Sequence, residues 1–161
     1  MLNGNVDVLP VLGFILPPYI GLFLVAVKPQ MGIVLAFYWL VQAWREGGGR
    51  RLLAVGGPIT AAMGLSFLVF GVWPLGFERE LSHWWNASLW PLSIPVGLAL
   101  TAASIRLRNE RFAFAASPCL SPYVLLHAWS GALISVVSLQ WETIAAVVGL
   151  WIVVALRAFG L

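Results

Sequence analysis

Long uncharged apolar runs constrain this chain more than any other feature. Charges punctuate it at Asp7, Lys28, Arg45 to Arg51, Glu78 to Arg79 to Glu80, Arg106 to Arg111, Glu142 and Arg157, with few polar groups between. A helix rises about 1.5 Å per residue and the hydrocarbon layer of a bilayer is about 30 Å thick, so roughly 20 apolar residues make one crossing. Val8 to Val27, Leu52 to Phe77 and Ala87 to Ile105 reach that length. Pro29 to Trp44 is shorter and borrows its polar Gln30 and Gln42 for the interface. Phe112 to Trp141 is longer than one crossing needs, and Ser117-Pro118 with Ser121-Pro122 sets helix breakers near its start. It reads as an interfacial piece followed by a span from about Pro122 to Leu139, and Thr143 to Leu156 reads as a short last span. The expected fold is an all-α, polytopic transmembrane bundle of five to six spans, forming one domain over residues 1–161.

Composition supports this reading. The apolar fraction is 61% and the charged fraction 9%, against about 45–50% and about 25% in soluble domains, so too few charges remain to coat a water-facing surface. The net charge of +3 comes from nine basic and six acidic groups spread thinly. That leaves no dense basic face, and nucleic acid is not expected as a partner. The single Cys119 cannot form an intrachain disulfide, and no H-E-x-x-H, paired Cys or dense Asp cluster calls for a metal. No lysine or arginine precedes Lys28, so the start lacks the basic flank of a secretory signal peptide and is read as mature structure.

Lysine and arginine near span ends stay on the cytoplasmic side. Arg45, Arg50 and Arg51 form one basic loop, Arg106, Arg108 and Arg111 another, and Arg157 completes the alternation, with Glu78 to His83 and Gln140 to Glu142 facing outward. Lys28 then falls on the outer side, against the rule. Tryptophans at 39, 44, 73, 84, 85, 90, 129, 141 and 151 lie near expected span ends and suit an aromatic belt. The localisation expected is a multi-pass protein of a prokaryotic inner membrane.

Pro17-Pro18 divides the first run, which is either a kinked span or a hairpin of two half-length arms, Asn5 to Leu16 and Tyr19 to Val27. The charge rule does not choose between them. Lys28-Pro29-Gln30 sets an ammonium beside the unpaired N–H groups of a helix start, a combination that favours phosphate, and that a snorkelling lysine at a helix junction also explains. Asn3-Gly4-Asn5 with Asp7 can cap the first helix, or in the hairpin version lie on the same face as Lys28 and hydrogen-bond a sugar. His127 falls inside the expected fifth span, where an ionisable group faces a cavity or the bundle interior; a neutral imidazole bonded to backbone or Ser130 is the simpler state. Gly47-Gly48-Gly49 marks a connection and lacks the pattern of a phosphate loop. Asn86-Ala87-Ser88 matches a glycosylation sequon at the membrane surface.

In order, Asn3-Gly4-Asn5-Val6-Asp7, the proline-broken stretch, Lys28-Pro29-Gln30, Trp39, Trp44-Arg45, Trp73-Pro74, Trp90-Pro91, Pro95-Val96-Gly97-Leu98, Ser117-Pro118 and Ser121-Pro122-Tyr123 resemble the later half of glycosyltransferase family 87 type proteins. Those are GT-C class membrane transferases that use polyprenyl-phosphate sugars, typically mannose, on the outer face. The resemblance implies a lipid-phosphate site at Lys28 and Gln30, with Asn5 and Asp7 nearby on the outer face and Asp7 the one carboxylate there that could act as base; residue chemistry, not the resemblance, adds Asn3 and His127 as support for the site. It also favours the hairpin. The family's catalytic acidic loop lies in an amino-terminal half that this chain does not contain, which implies a carrier-binding and scaffolding half, either separately encoded, truncated, or working with a second membrane subunit that supplies the rest. The polyprenyl-phosphate sugar would be donor substrate, with no cofactor. The alternative is a non-catalytic structural or accessory subunit of a larger membrane complex.

Overall fold

The computed structural model describes residues 6–72 and 86–159, which form an all-helical chain. Asn3, Asn5, the loop Glu78 to His83 and Trp73, Trp84 and Trp85 lie outside the described residues. The first apolar run is two helices, α1 (Val8–Ile15) and α2 (Pro18–Ala26). Each residue before a proline is pushed out of the helical region, and here Leu16 (ψ 160°) and Pro17 (ψ 142°) are both extended. The chain therefore doubles back. Gly13 and Gly21 let the two backbones meet: a Cβ on Gly21 would lie 2.6 Å from the Gly13 carbonyl oxygen. Of the two versions left open by the sequence, the hairpin is the one formed.

Next comes α3 (Pro29–Phe70), opened by Pro29 at its first turn and broken at Gly47 (φ −154°) and Gly48 (φ 59°, ψ −149°). Leu40 Cδ2 comes within 3.0 Å of where a Cβ on Gly56 would sit, although a straight helix would part those residues by about 24 Å. The glycine triplet is thus a reversal between two antiparallel arms, residues 29–46 and 49–70. By length and composition α3 is apolar enough to cross a membrane, while Ile94–Leu107, Leu126–Val136 and Gln140–Leu156 are apolar but shorter. The second arm is clothed in exposed apolar side chains, Leu53 at 71%, Leu68 at 86% and Phe70 at 73%. Such a helix is suited to lipid rather than water.

α4 (Ile94–Leu107) and α5 (Glu110–Cys119) pack side by side through Gly97, Cys119 and Leu120, and Asn109 caps α5 by accepting a hydrogen bond from the Arg111 N–H. The expectation of an interfacial piece at 112–119 is overturned, because α5 is the centre of the molecule. Ala113 to Cys119 are all buried, Phe114 stacks on Phe14 at 4.9 Å between ring centroids, and Ser117 Oγ accepts from the Val34 N–H at 3.2 Å. Pro118 falls in the last turn and ends the helix instead of preventing it. Trp39 and Trp129 also leave the aromatic belt for the core, at 4% and 7% exposed.

The expected span Pro122 to Leu139 is instead a 3-10 turn at Leu126–Trp129 followed by α6 (Ser130–Val136), and α7 (Gln140–Ala158) is longer than foreseen. Because α5 already carries the chain across the core, α6 brings it back. The Arg111 guanidinium donates to Ser138 Oγ at 2.7 Å, so the α6–α7 turn joins the arginine end, and the expected alternation, with Gln140 to Glu142 opposite the arginines, does not hold. The pairs α1–α2 and α5–α6 enter the core from opposite ends and meet at the Phe14–Phe114 stack.

Candidate functional site

Two polar ends result from this folding. At one, Arg45 Nη1 donates to the Ile105 carbonyl at 2.9 Å and Arg51 pairs with Glu46, which brings the loops 45–51 and 106–111 together. At the other, a first arm of α3 away, the α1–α2 hairpin returns Asp7 to Lys28.

Hairpin closure builds the site. Asp7 precedes α1, yet its side chain makes no cap hydrogen bond, contrary to the capping expectation. Its Oδ1 instead accepts from the Lys28 ammonium in a buried ion pair, with both side chains under a tenth exposed. Oδ2 faces His127 Nε2 at 3.2 Å. Two of the ionisable groups singled out in the sequence, Lys28 and His127, therefore converge on the third, the Asp7 carboxylate, and His127 faces Asp7 where backbone or Ser130 was expected. Gln30 is half-buried in the first turn of α3, one residue beyond Pro29. Burial pulls the Lys28 ammonium below the ordinary lysine range, because a charge loses its hydration there. The adjacent carboxylate opposes that loss by pairing with it.

The cluster opens to the surface through His127, whose side chain is 46% exposed. His127 stands at the rim of an apolar groove of about 370 Å³ between the 3-10 turn, α6 and α7, walled by Leu133, Val147, Leu150 and Trp151. With one ring nitrogen turned to the buried carboxylate, the other is left for a ligand. Chemically, the arrangement offers an oriented imidazole at an apolar mouth, with a compensated ion pair behind it.

Asn86, read in the sequence only as a sequon, is a structural tie. Its Oδ1 accepts from the N–H groups of Ser88 and Val124, both at 3.0 Å, and its Nδ2 donates to the Pro122 carbonyl at 3.1 Å. With the Trp129 indole donating to the Ala87 carbonyl at 3.2 Å, it holds the turn that carries His127. Nothing in the spacing of Asn86 and Val124 signals this pairing. Among the described residues no group of His, Cys, Asp and Glu could hold a metal ion.

Compared with known proteins, the chain matches no family model, no curated protein and no solved structure.

Proposed function

We propose that this chain is a multi-pass membrane protein that binds the phosphate of a polyprenyl-linked sugar at the Asp7–Lys28–His127 cluster. The observation that carries the reading is the convergence itself: an ammonium and an imidazole share one carboxylate at the edge of an apolar groove. A cluster of ionisable groups buried at the end of an apolar bundle is costly and marks a working site. In the arrangement proposed, the two arms of α3, α4 and α7 cross the bilayer and the α1–α2 and α5–α6 pairs penetrate it. Arg45, Arg50, Arg51, Arg106, Arg108 and Arg111 face the cytoplasm, in accord with the charge rule, while Arg157 in the last turn of α7 falls on the outer side against it. Lys28 then lies at the outer end. The isoprenoid chain occupies the groove beside His127, and the phosphate exchanges with Asp7 for the Lys28 ammonium, freeing the carboxylate as the base that sugar transfer requires. The family resemblance of the sequence supports the same placement.

A second reading is favoured by one specific observation: Lys28 is covered and already paired. The ion pair then only locks the hairpin, and the chain is an accessory packing subunit. Binding of undecaprenyl phosphate to the purified chain in detergent separates the two. Neutralising both partners, Asp7→Asn with Lys28→Met, leaves no unpaired charge and preserves the fold. The carrier-binding reading expects wild type to bind and the double variant to lose at least about tenfold in affinity, the worth of about 1.4 kcal/mol. Equal binding by the two would overturn the site, and no binding by wild type would leave the packing role.

A further inference from the structure

The arginine end holds a second cavity that carrier binding does not use. It is polar, has a volume of about 300 Å³, and is lined by Tyr38, Gln42, Glu46, Arg51, Arg108 and Glu110 beside the tip of the α1–α2 hairpin at Pro18. Its carboxylates are already engaged: Glu110 Oε2 accepts from the Trp39 indole N–H at 3.0 Å, and Glu46 pairs with Arg51 at 2.9 Å. Left over are the Gln42 amide and the Arg108 guanidinium. Gln42 Nε2 is buried without a hydrogen-bond partner, and a buried donor left unmade is costly unless something accepts from it. Arg51 is held only by an exposed bridge, its side chain 58% exposed, which is weak enough to exchange.

Arg108 adds a backbone argument. It ends α4 in the left-handed conformation, at φ 52°, a position where glycine is the easy residue. An arginine there accepts a conformational cost and places its guanidinium on the cavity wall. Around it stand Arg45, Arg50, Arg106 and Arg111, so this end carries six arginines against three glutamates, Glu46, Glu110 and Glu142.

We propose that this cavity binds the phosphodiester head of an anionic phospholipid of the cytoplasmic leaflet, with Arg108, Arg51 and the Gln42 amide donating to its oxygens. The aromatic and apolar walls at Trp39, Pro18 and Val55 lie where the acyl-glycerol portion enters, which favours a lipid over free phosphate. Basic pockets between spans on this side of a membrane suit such head groups. The inference rests on the membrane placement above, and it is independent of carrier binding at Lys28.

Native mass spectrometry of the full chain in detergent tests it, with phosphatidylglycerol, phosphatidylcholine and inorganic phosphate as separate probes. Wild type is expected to retain one phosphatidylglycerol with at least about fivefold preference over phosphatidylcholine. Arg108→Gly, which eases the backbone, and Gln42→Leu, which removes the orphan donor, should each lower that retention about fivefold. Arg106→Ala, at the same end but outside the cavity lining, should change it by less than about twofold. Equal retention of the two lipids, or an equal loss in Arg106→Ala and Arg108→Gly, would overturn the site. Displacement of phosphatidylglycerol by millimolar inorganic phosphate would overturn the lipid assignment. Loss of undecaprenyl phosphate binding without loss of phosphatidylglycerol would tell failure of the carrier site from failure of this one.

Discussion

Replacing Gly21 with alanine tests the packing of the hairpin on which the candidate site depends. The added Cβ would stand 2.6 Å from the Gly13 carbonyl oxygen and 2.6 Å from Trp39 Cη2, well inside the roughly 3.5 Å at which non-bonded atoms rest. Both neighbours must retreat by nearly an ångström. One is backbone and the other is a core indole tied to Glu110, so neither can yield by a simple rotamer change. Overpacking of this kind costs about 3 kcal/mol, at the upper end of its range. Alanine's better helix propensity returns about 1 kcal/mol, for a net loss of about 2 kcal/mol. Gly64→Ala is the control, since nothing lies within 4 Å of its Cβ, and it should gain about 0.8 kcal/mol. Thermal unfolding in detergent should then show Gly21→Ala lowering Tm by about 4–8 °C and Gly64→Ala raising it by about 2 °C, at roughly 2–4 °C per kcal/mol for a chain of this size. If both substitutions raised Tm alike, α1 and α2 would not be packed at this glycine, and the hairpin would be refuted.

Three further outcomes follow from the same geometry. Asp7→Asn alone leaves the buried Lys28 ammonium without its carboxylate and should cost about 3–5 kcal/mol, whereas the double variant should stay within about 1 kcal/mol of wild type; thermal unfolding of the two variants in detergent measures the difference. Gly48→Ala meets no neighbour within 4 Å but must hold φ 59° and ψ −149°, a region open in practice to glycine alone, and should lose about 1–3 kcal/mol by thermal unfolding. Asn86→Ala removes three hydrogen bonds that hold the turn carrying His127, and should cost about 2 kcal/mol and raise hydrogen exchange at Val124.

Much of the helical framework is legible in the sequence because its punctuation is local. Pro17-Pro18 breaks a helix wherever it stands, and Gly47-Gly48 supplies the one backbone conformation that lets α3 reverse. The two arginine loops meet at one end, as the charge rule requires of them. What the sequence hides is depth. Residues 110–119 carry Glu110, Arg111 and a Ser-Pro pair, the marks of a surface segment, yet those polar atoms are spent internally: Glu110 on Trp39, Ser117 on Val34 and Ala113. Once that segment becomes a core helix the chain reverses once more than run lengths suggest, and the α6–α7 turn changes ends. At the site, residue types singled Lys28, Asp7 and His127 out one by one. Their shared carboxylate follows only from the hairpin closing 21 residues back on itself, and no spacing rule encodes a contact made through a reversal.

In the proposed arrangement the Lys28 cluster and the glycine turn of α3 lie on opposite faces of a membrane, and side-specific labelling measures this directly. On a Cys119→Ser background, a membrane-impermeant maleimide applied to right-side-out vesicles should label Val27→Cys, beside the cluster, and spare Gly49→Cys at the turn. Inverted vesicles should reverse the pattern. Labelling of both positions from the same side would contradict the placement, and with it the assignment of the Asp7–Lys28–His127 cluster to the outer face.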